Sequence, residues 1–75
     1  MSLDEFVAAF ADEMSEVPEG VITADTKYKT LEGWDSLASL SIISMVDEEF
    51  GKLITGADVR SHETVKDLYD FVNSL

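Results

Sequence analysis

Residues 33–51 read GWDSLASLSIISMVDEEFG, and this stretch decides the fold. Its apolar residues recur at helical spacing and comprise Leu37, Leu40, Ile43, Val46 and Phe50, with Ile42 and Met45 widening the stripe. Such a stripe predicts an amphipathic helix that begins at Asp35 or Ser36. Gly51 is a natural stop, because glycine adopts the left-handed conformation that closes many helices. We therefore predict a helix over residues 36–50.

The N-terminal segment predicts another helix over residues 3–15. Apolar residues recur there at steps of three and four, at Leu3, Phe6, Val7, Phe10 and Met14. Ser2 and Glu5 have the spacing of a capping box, which marks a helix start. Pro18 then breaks the pattern, so residues 16–34 are expected to form a long loop. The apolar residues available to anchor that loop are Val17, Ile22, Tyr28 and Leu31.

The C-terminal third predicts one short helix and one longer helix. Thr55 can cap a short helix over residues 56–61, and Thr64 can cap a helix over residues 65–74. No strand-like alternation, internal repeat or low-complexity tract is present. We therefore expect residues 1–75 to form one all-α domain, a small bundle of three main helices plus one short helix.

The composition limits the classes of partner. Sixteen acidic residues against five basic ones give a formal net charge of -11, which argues against nucleic acid and favours positively charged partners. A hydrophobic content of 45% provides a core, unlike a disordered acidic tail. Cysteine is absent, so the fold needs no oxidising compartment. The early apolar run FVAAFA is too short for a signal core or a membrane span, which predicts a cytoplasmic protein without membrane insertion.

The residue types needed for catalysis are scarce. His62 is the only histidine, and no nucleophile or carboxylate accompanies it at a motif spacing, so we interpret it as a packing residue. The acidic run DEEFGK lacks the alternating oxygen ligands of a calcium loop, and no glycine-rich phosphate loop is present. These observations argue against an enzyme and against a metal site. Ser36, taken alone, is most simply a helix cap.

The combination of GWDSL with an apolar helix that ends in DEEFG resembles the acyl carrier protein family. The family motif D-S-L matches Asp35, Ser36 and Leu37, and the order of the predicted helices matches along most of the chain. The resemblance implies that Ser36 carries 4'-phosphopantetheine, attached by a phosphopantetheinyl transferase, and that the thiol of this arm holds acyl groups as thioesters. A helix N-terminus independently suits a phosphodiester, because it presents unpaired N–H groups and a positive dipole end.

The neighbours of Ser36 have two interpretations each. Asp35 is a helix cap, and the resemblance adds a contribution to transferase recognition. Leu37 is the first core residue of the helix, and the resemblance adds a contact with partner enzymes. Trp34 is an aromatic anchor of the loop, or else a partner contact, and a tryptophan at this position is closer to carriers of specialised pathways.

Two further sets of residues follow from the resemblance. Asp47, Glu48 and Glu49 would meet basic patches on acyl-loading and synthase enzymes, although acids on a helix usually form only a solvated face. An acyl pocket between the second and third helices would be lined by Leu40, Ile43, Val46, Ile54 and Val59, which otherwise form an ordinary core. The resemblance also implies a monomer.

Three alternatives remain open at this point. The chain could carry acyl groups for fatty acid or polyketide synthesis, or aminoacyl and peptidyl groups. It could instead be an acidic helical interaction module, in which Ser36 is only a cap and no prosthetic group is bound. A hydrolase that uses Ser36 as its nucleophile would lack a base.

Overall fold

The computed structural model describes residues 2–14, 17–18 and 20–75. Its α-helices are α1 Leu3–Glu13, α2 Ser36–Phe50, α3 Gly56–Arg60 and α4 Val65–Asn73. Within this described part of the chain no strand is formed, and one isolated antiparallel bridge joins Lys27 to Thr64. The prediction of an all-α bundle with three main helices and one short helix is confirmed.

The helix starts follow the predicted capping signals. The Ser2 hydroxyl accepts the Glu5 N–H at 3.2 Å, and the Glu5 carboxylate accepts the Ser2 N–H at 3.0 Å. The same reciprocal box links Thr55 with Asp58 and Thr64 with Asp67. These caps depend only on residues three positions apart, which explains why the sequence alone predicts them.

The helix ends agree less closely with the prediction. The bounds of α2 are as predicted, and Gly51 closes it with a φ of 67° while its N–H donates to the carbonyl of Asp47. Among the described residues, the other helices end earlier than predicted, because residues expected to be helical are C-caps instead. They end at Glu13, Arg60 and Asn73, and the C-caps are Met14, Ser61 and Ser74. Ser15, the predicted end of the first helix, lies outside the described residues.

The core lies where α1 packs against α2 and α4. Its buried side chains are Phe6, Phe10, Ile22, Tyr28, Ile42, Met45, Val46, Ile54, Val59, Val65, Leu68 and Val72. Aromatic rings hold its centre: the ring centroid of Phe6 lies 5.6 Å from that of Phe50 and 5.7 Å from that of Tyr69. Aromatic pairs at these distances stabilise a core beyond the area that they bury.

The predicted apolar stripe of α2 is wrong at its first two members. The buried residues are Ile42, Met45 and Val46, whereas Leu37 is 71% exposed and Leu40 is 57% exposed. At 3.6 residues per turn, these two leucines lie roughly 140–160° around the helix from Ile42. They therefore occupy the side of α2 that faces away from the core.

The long connection between α1 and α2 is tied to α4. The carbonyl of Thr26 accepts the N–H of Val65 at 3.1 Å, and that of Ala24 accepts the N–H of Lys66 at 2.9 Å. A 3-10 turn at Tyr28–Thr30 interrupts the predicted loop. Of the four predicted anchors, Ile22 and Tyr28 are buried while Val17 and Leu31 are half-buried. Glu16 and Glu19 lie outside the described residues.

Candidate functional site

Ser36 is the first residue of α2 and is exposed. Asp35, and not Ser36, is the N-cap: its Oδ1 accepts the backbone N–H of Ala38 at 2.9 Å. The interpretation of Ser36 as a cap is therefore wrong. The Ser36 hydroxyl forms no hydrogen bond with any residue that the structure describes. An exposed hydroxyl without a structural partner is available for modification.

The loop that leads into α2 is held in place by Trp34. Its ring lies parallel to that of Phe10, with centroids 6.4 Å apart, and the Tyr28 ring centroid is 5.2 Å away. Gly33 precedes it with a φ of 84°, a conformation that side chains with a Cβ rarely adopt. The interpretation of Trp34 as an aromatic anchor is confirmed, and this anchor positions Asp35 and Ser36 above the core.

Apolar side chains border the exposed hydroxyl. Leu37 follows Ser36 directly and Leu40 lies one turn further along, both largely exposed. Because an exposed large apolar side chain gives no burial energy, these leucines are available to contact another molecule.

The acidic residues at the end of α2 are exposed. Asp47, Glu48 and Glu49 occupy its last turn, which contains no basic residue. The C-terminus of a helix carries a partial negative charge, so acids there are unfavourable by about 0.3 to 1 kcal/mol each. Glu48 and Glu49 also line a groove shared with three acids of α1, namely Glu5, Asp12 and Glu13. The folded domain therefore gathers negative charge at one place without forming ion pairs to offset it among the described residues.

The five residues predicted to line an acyl pocket differ in how deeply they are buried. Val46, Ile54 and Val59 are buried in the core, and Ile43 is half-buried beside them. Leu40 instead lies on the surface. The interior between α2 and α3 is closed at these positions by ordinary packing.

Tyr28 connects the loop to α3, a role that the sequence did not indicate. Its hydroxyl donates to the backbone carbonyl of Val59 and lies 3.1 Å from that of His62. Burial raises the pKa of Tyr28, and the nearby charge of Asp67 raises it further, so the hydroxyl remains a donor at neutral pH. Only the aromatic side chain of Tyr28 itself indicated burial in the sequence, because its neighbours Lys27 and Lys29 are basic. Its partners lie 31 and 34 residues away, and no local pattern identifies them.

His62 is a packing residue, as interpreted from the sequence. Its Nδ1 lies 2.7 Å from the carbonyl oxygen of Asp58, and its ring centroid is 4.9 Å from that of Phe71. Within the described residues, no group of histidine and acidic side chains could hold a metal ion. None of the helices in this part of the chain is long and apolar enough to cross a membrane.

Comparison with known proteins assigns the family. The profile of the family described as phosphopantetheine attachment site matches residues 4–72. The acyl carrier protein of Thermosynechococcus vestitus is 35% identical over 72 residues, which cover 96% of this chain and 88% of that protein. The acyl carrier protein of Treponema pallidum is 35% identical over 66 residues, covering 88% and 85% of the two chains. That of Treponema denticola is 30% identical over 59 residues, covering 79% and 76%. No solved structure matched the chain.

The matched range covers all four helices except the last residue of α4 and the first of α1, and it includes the D-S-L motif. The fold and the exposed serine define a phosphopantetheine-binding carrier domain. The chain belongs to the acyl carrier protein family.

Proposed function

We propose that the Ser36 hydroxyl carries 4'-phosphopantetheine and that the chain carries acyl intermediates as thioesters on this arm. The observation that supports the proposal most directly is the exposed hydroxyl of Ser36 at the first position of α2, inside the range that matches the phosphopantetheine attachment family. When bound, the group supplies a thiol on a long flexible arm.

The residues around Ser36 fit a phosphodiester. The backbone N–H groups of Ser36 and Leu37 precede the first intrahelical hydrogen bond of α2, so they are free to face an anion. The positive end of the α2 dipole adds about 0.3 to 1 kcal/mol for a negative charge near the surface. Asp35 caps the helix in place of Ser36, so modification of the serine removes no structural hydrogen bond.

In this proposal the chain holds the arm and its cargo and catalyses no reaction itself. Asp35 caps α2 through its Oδ1, and His62 packs against Asp58 and Phe71, so both have structural roles. We therefore propose a non-catalytic carrier. A cargo tethered to the domain has a high effective concentration at any enzyme that binds the domain, because the tether keeps the cargo close to that enzyme.

The partner enzymes are proposed to bind exposed residues along α2. A phosphopantetheinyl transferase must reach Ser36, and the exposed Leu37 and Asp35 beside it would contribute to that contact. Asp47, Glu48 and Glu49 would meet basic patches on the transferase and on acyl-loading and synthase enzymes. Opposite charges steer such encounters and raise association rates, an effect that salt weakens.

A cargo pocket between α2 and α3 remains a prediction for long acyl chains. Ile43, Val46, Ile54 and Val59 would be its walls, and a chain could enter only after local opening of α3. Each methylene removed from water would contribute about 0.8 kcal/mol to offset that opening. Val59→Phe should narrow such a pocket and cancel any gain in melting temperature that a long acyl chain gives.

The proposal is tested by modification and by the lability of the loaded group. Incubation with a phosphopantetheinyl transferase and coenzyme A, which donates the group and releases 3',5'-ADP, should add the mass of one phosphopantetheine to the intact protein. Loading with an acyl group should then add a second increment that neutral hydroxylamine removes, because hydroxylamine cleaves thioesters. An unmodified mass would favour an interaction module without a prosthetic group, and a hydroxylamine-resistant acyl group would exclude a thioester.

A further inference from the structure

The groove between α1 and α2 combines an apolar lining with acidic walls. It has a volume of about 590 Å³. Its apolar lining consists of Ala8, Ala9, Met45 and Phe50. The exposed acids of its two walls are Glu5, Asp12, Glu13, Glu48 and Glu49. None of these lining residues is basic, so the groove does not balance its own charge.

The two helices run antiparallel along this groove. The ring of Phe6, near the start of α1, lies 5.6 Å from that of Phe50 at the end of α2. The ring of Phe10 lies 6.4 Å from that of Trp34, which precedes α2. Ala8 presents only a methyl group to the groove, so a third helix can approach α1 closely there.

Four of the five acids form no side-chain hydrogen bond or ion pair within the described part of the chain; Glu5, which accepts the Ser2 N–H, is the exception. Glu13 ends α1, and Glu48 and Glu49 lie in the last turn of α2, where the helix dipole is itself negative. A cation that enters the groove would therefore meet negative charge that nothing beside it offsets.

The chain cannot supply that cation. Its basic residues are Lys27, Lys29, Lys52, Arg60 and Lys66, and none of them lines the groove. Three of the lysine amino groups have partners elsewhere, which are the carbonyl of Arg60, the carbonyl of Leu75 and the carboxylate of Asp70. The complementary charge has to come from another molecule.

We propose that the groove between α1 and α2 binds a basic amphipathic helix of a partner protein. The apolar face of that helix would pack on Ala8 and Phe50, and lysines or arginines on its two flanks would pair with the acids of α1 and α2. Glu5 and Asp12 lie on one face of α1, roughly 10 Å apart along its axis. Cations two turns apart on the partner helix match this spacing.

This surface differs from the one around Ser36. At 3.6 residues per turn, Met45 and Glu49 lie roughly 140–180° around α2 from Ser36, and the other wall belongs to α1. The inference therefore does not rest on the attachment of phosphopantetheine. Ser36→Ala should bind the partner helix as tightly as the wild type does.

A synthetic peptide of lysine, leucine and alanine serves as the probe. With about 14 residues it forms a helix roughly 21 Å long, which spans α1. Leucine and alanine occupy one face of this helix, and lysines flank that face. A scrambled peptide of the same composition keeps the charge but has no apolar face. Fluorescence anisotropy should show that it binds about tenfold more weakly, and equal binding of both peptides would overturn the proposal.

One pair of variants tests the acids of α1. Asp12→Asn combined with Glu13→Gln should raise the Kd of the amphipathic peptide about fivefold, because each exposed ion pair contributes little alone. Asp25→Asn combined with Glu63→Gln makes the same change in net charge at exposed positions outside the groove. This control should change the Kd less than about twofold. Equal effects would mean that net charge alone attracts the peptide.

A second pair of variants tests the shape of the groove with every charge left in place. Ala8→Gln fills the groove and should weaken peptide binding about tenfold, because close packing of the peptide is lost. Ala57→Gln makes the same change at an exposed alanine of α3 and should leave the Kd unchanged. Circular dichroism verifies that the helices of all variants are intact. Unchanged binding by Ala8→Gln would overturn the groove as the binding site.

Amide chemical shifts locate the bound peptide directly. The amphipathic peptide should shift the signals of residues 5–13 and 45–50 more than those of residues 36–41. Shifts confined to residues 36–41 would overturn the proposal and leave the proposed function standing. A protein that binds the peptide in the groove but gains no phosphopantetheine would contradict the proposed function alone.

Discussion

Asp35 Oδ1 accepts the backbone N–H of Ala38 at 2.9 Å, and the adjacent Ser36 hydroxyl is left exposed at the first position of α2. Asp35 therefore stabilises the start of α2, whereas the Ser36 hydroxyl takes no part in capping the helix. This division allows the chain to place a modifiable serine at a helix N-terminus without weakening the helix that presents it.

The two residues should differ in their effect on stability. Asp35→Ala removes the N-cap and should lower the free energy of unfolding by about 0.5 to 2 kcal/mol. Ser36→Ala removes no hydrogen bond and should change the free energy of unfolding by less than Asp35→Ala does. Urea denaturation followed by circular dichroism measures both values. A larger loss for Ser36→Ala than for Asp35→Ala would contradict the division of tasks.

Tyr28→Phe should loosen α3. The variant loses the hydroxyl that donates to the Val59 carbonyl, and a buried carbonyl left without a donor costs about 1 to 3 kcal/mol. Hydrogen exchange should show faster opening at the amides of residues 56–62, with α1 and α2 less affected. Uniformly faster exchange across the chain would mean that Tyr28 supports the whole core rather than α3.

Glu48→Lys should stabilise the domain and weaken its recognition. The substitution removes an acid from the last turn of α2, where the dipole opposes it, and should add about 0.3 to 1 kcal/mol to the free energy of unfolding. It should also raise the KM of a phosphopantetheinyl transferase, most strongly at low salt.

Glu63→Lys is the matched control for Glu48→Lys. It makes the same change in net charge at an exposed position before the N-terminus of α4, where the helix dipole favours an acid. This variant should not gain stability, and its effect on the transferase KM should be smaller. Equal effects of both substitutions would show that net charge, and not the acids of α2, governs recognition.

The capping box of α4 should make part of the stability depend on pH. The pKa of Asp67 lies below its ordinary value chiefly because its carboxylate accepts the backbone N–H of Thr64. A lowered folded-state pKa means that this contribution is fully present above the ordinary value of 3.8 and is lost as the pH falls through the folded-state pKa. Asp67→Asn should therefore melt below the wild type at pH 7, and the difference should shrink below pH 3.8.

Asp70→Asn tests whether the effect belongs to the cap. Asp70 pairs with Lys66 on the surface, with both side chains more than half exposed, and such pairs contribute little. This variant should melt close to the wild type at both pH values. A difference at pH 7 as large as that of Asp67→Asn would assign the pH dependence to general surface charge.

Local features of this fold could be predicted from the sequence, and contacts distant in sequence could not. The caps at Ser2, Thr55 and Thr64 depend on residues three positions away, and the bounds of α2 follow from one cap and Gly51. The exposure of Leu37 and Leu40 depends on which face of α2 the other elements cover, and periodicity alone does not decide this when both faces carry leucine or isoleucine.

In the candidate site, too, local features could be predicted, and contacts between distant segments could not. The motif at residues 35–37 predicted Ser36 as the attachment residue through a resemblance, and the aromatic character of Trp34 predicted an anchor of the loop. A groove between α2, the end of α1 and the loop could not be predicted, because it forms where these segments meet the small residues Ala38 and Ser41. Such a junction depends on the path of a loop that has no periodic signal.

The central claim is that Ser36 is the attachment site. Wild type, Ser36→Ala and Ser44→Ala should be incubated with a phosphopantetheinyl transferase and coenzyme A and compared by intact mass. Ser44 is an exposed serine on the same helix, so its variant controls for general effects of the substitution. Wild type and Ser44→Ala should each gain one phosphopantetheine, and Ser36→Ala should gain none while keeping its helical spectrum. A folded Ser36→Ala protein that still gains the group would contradict the account.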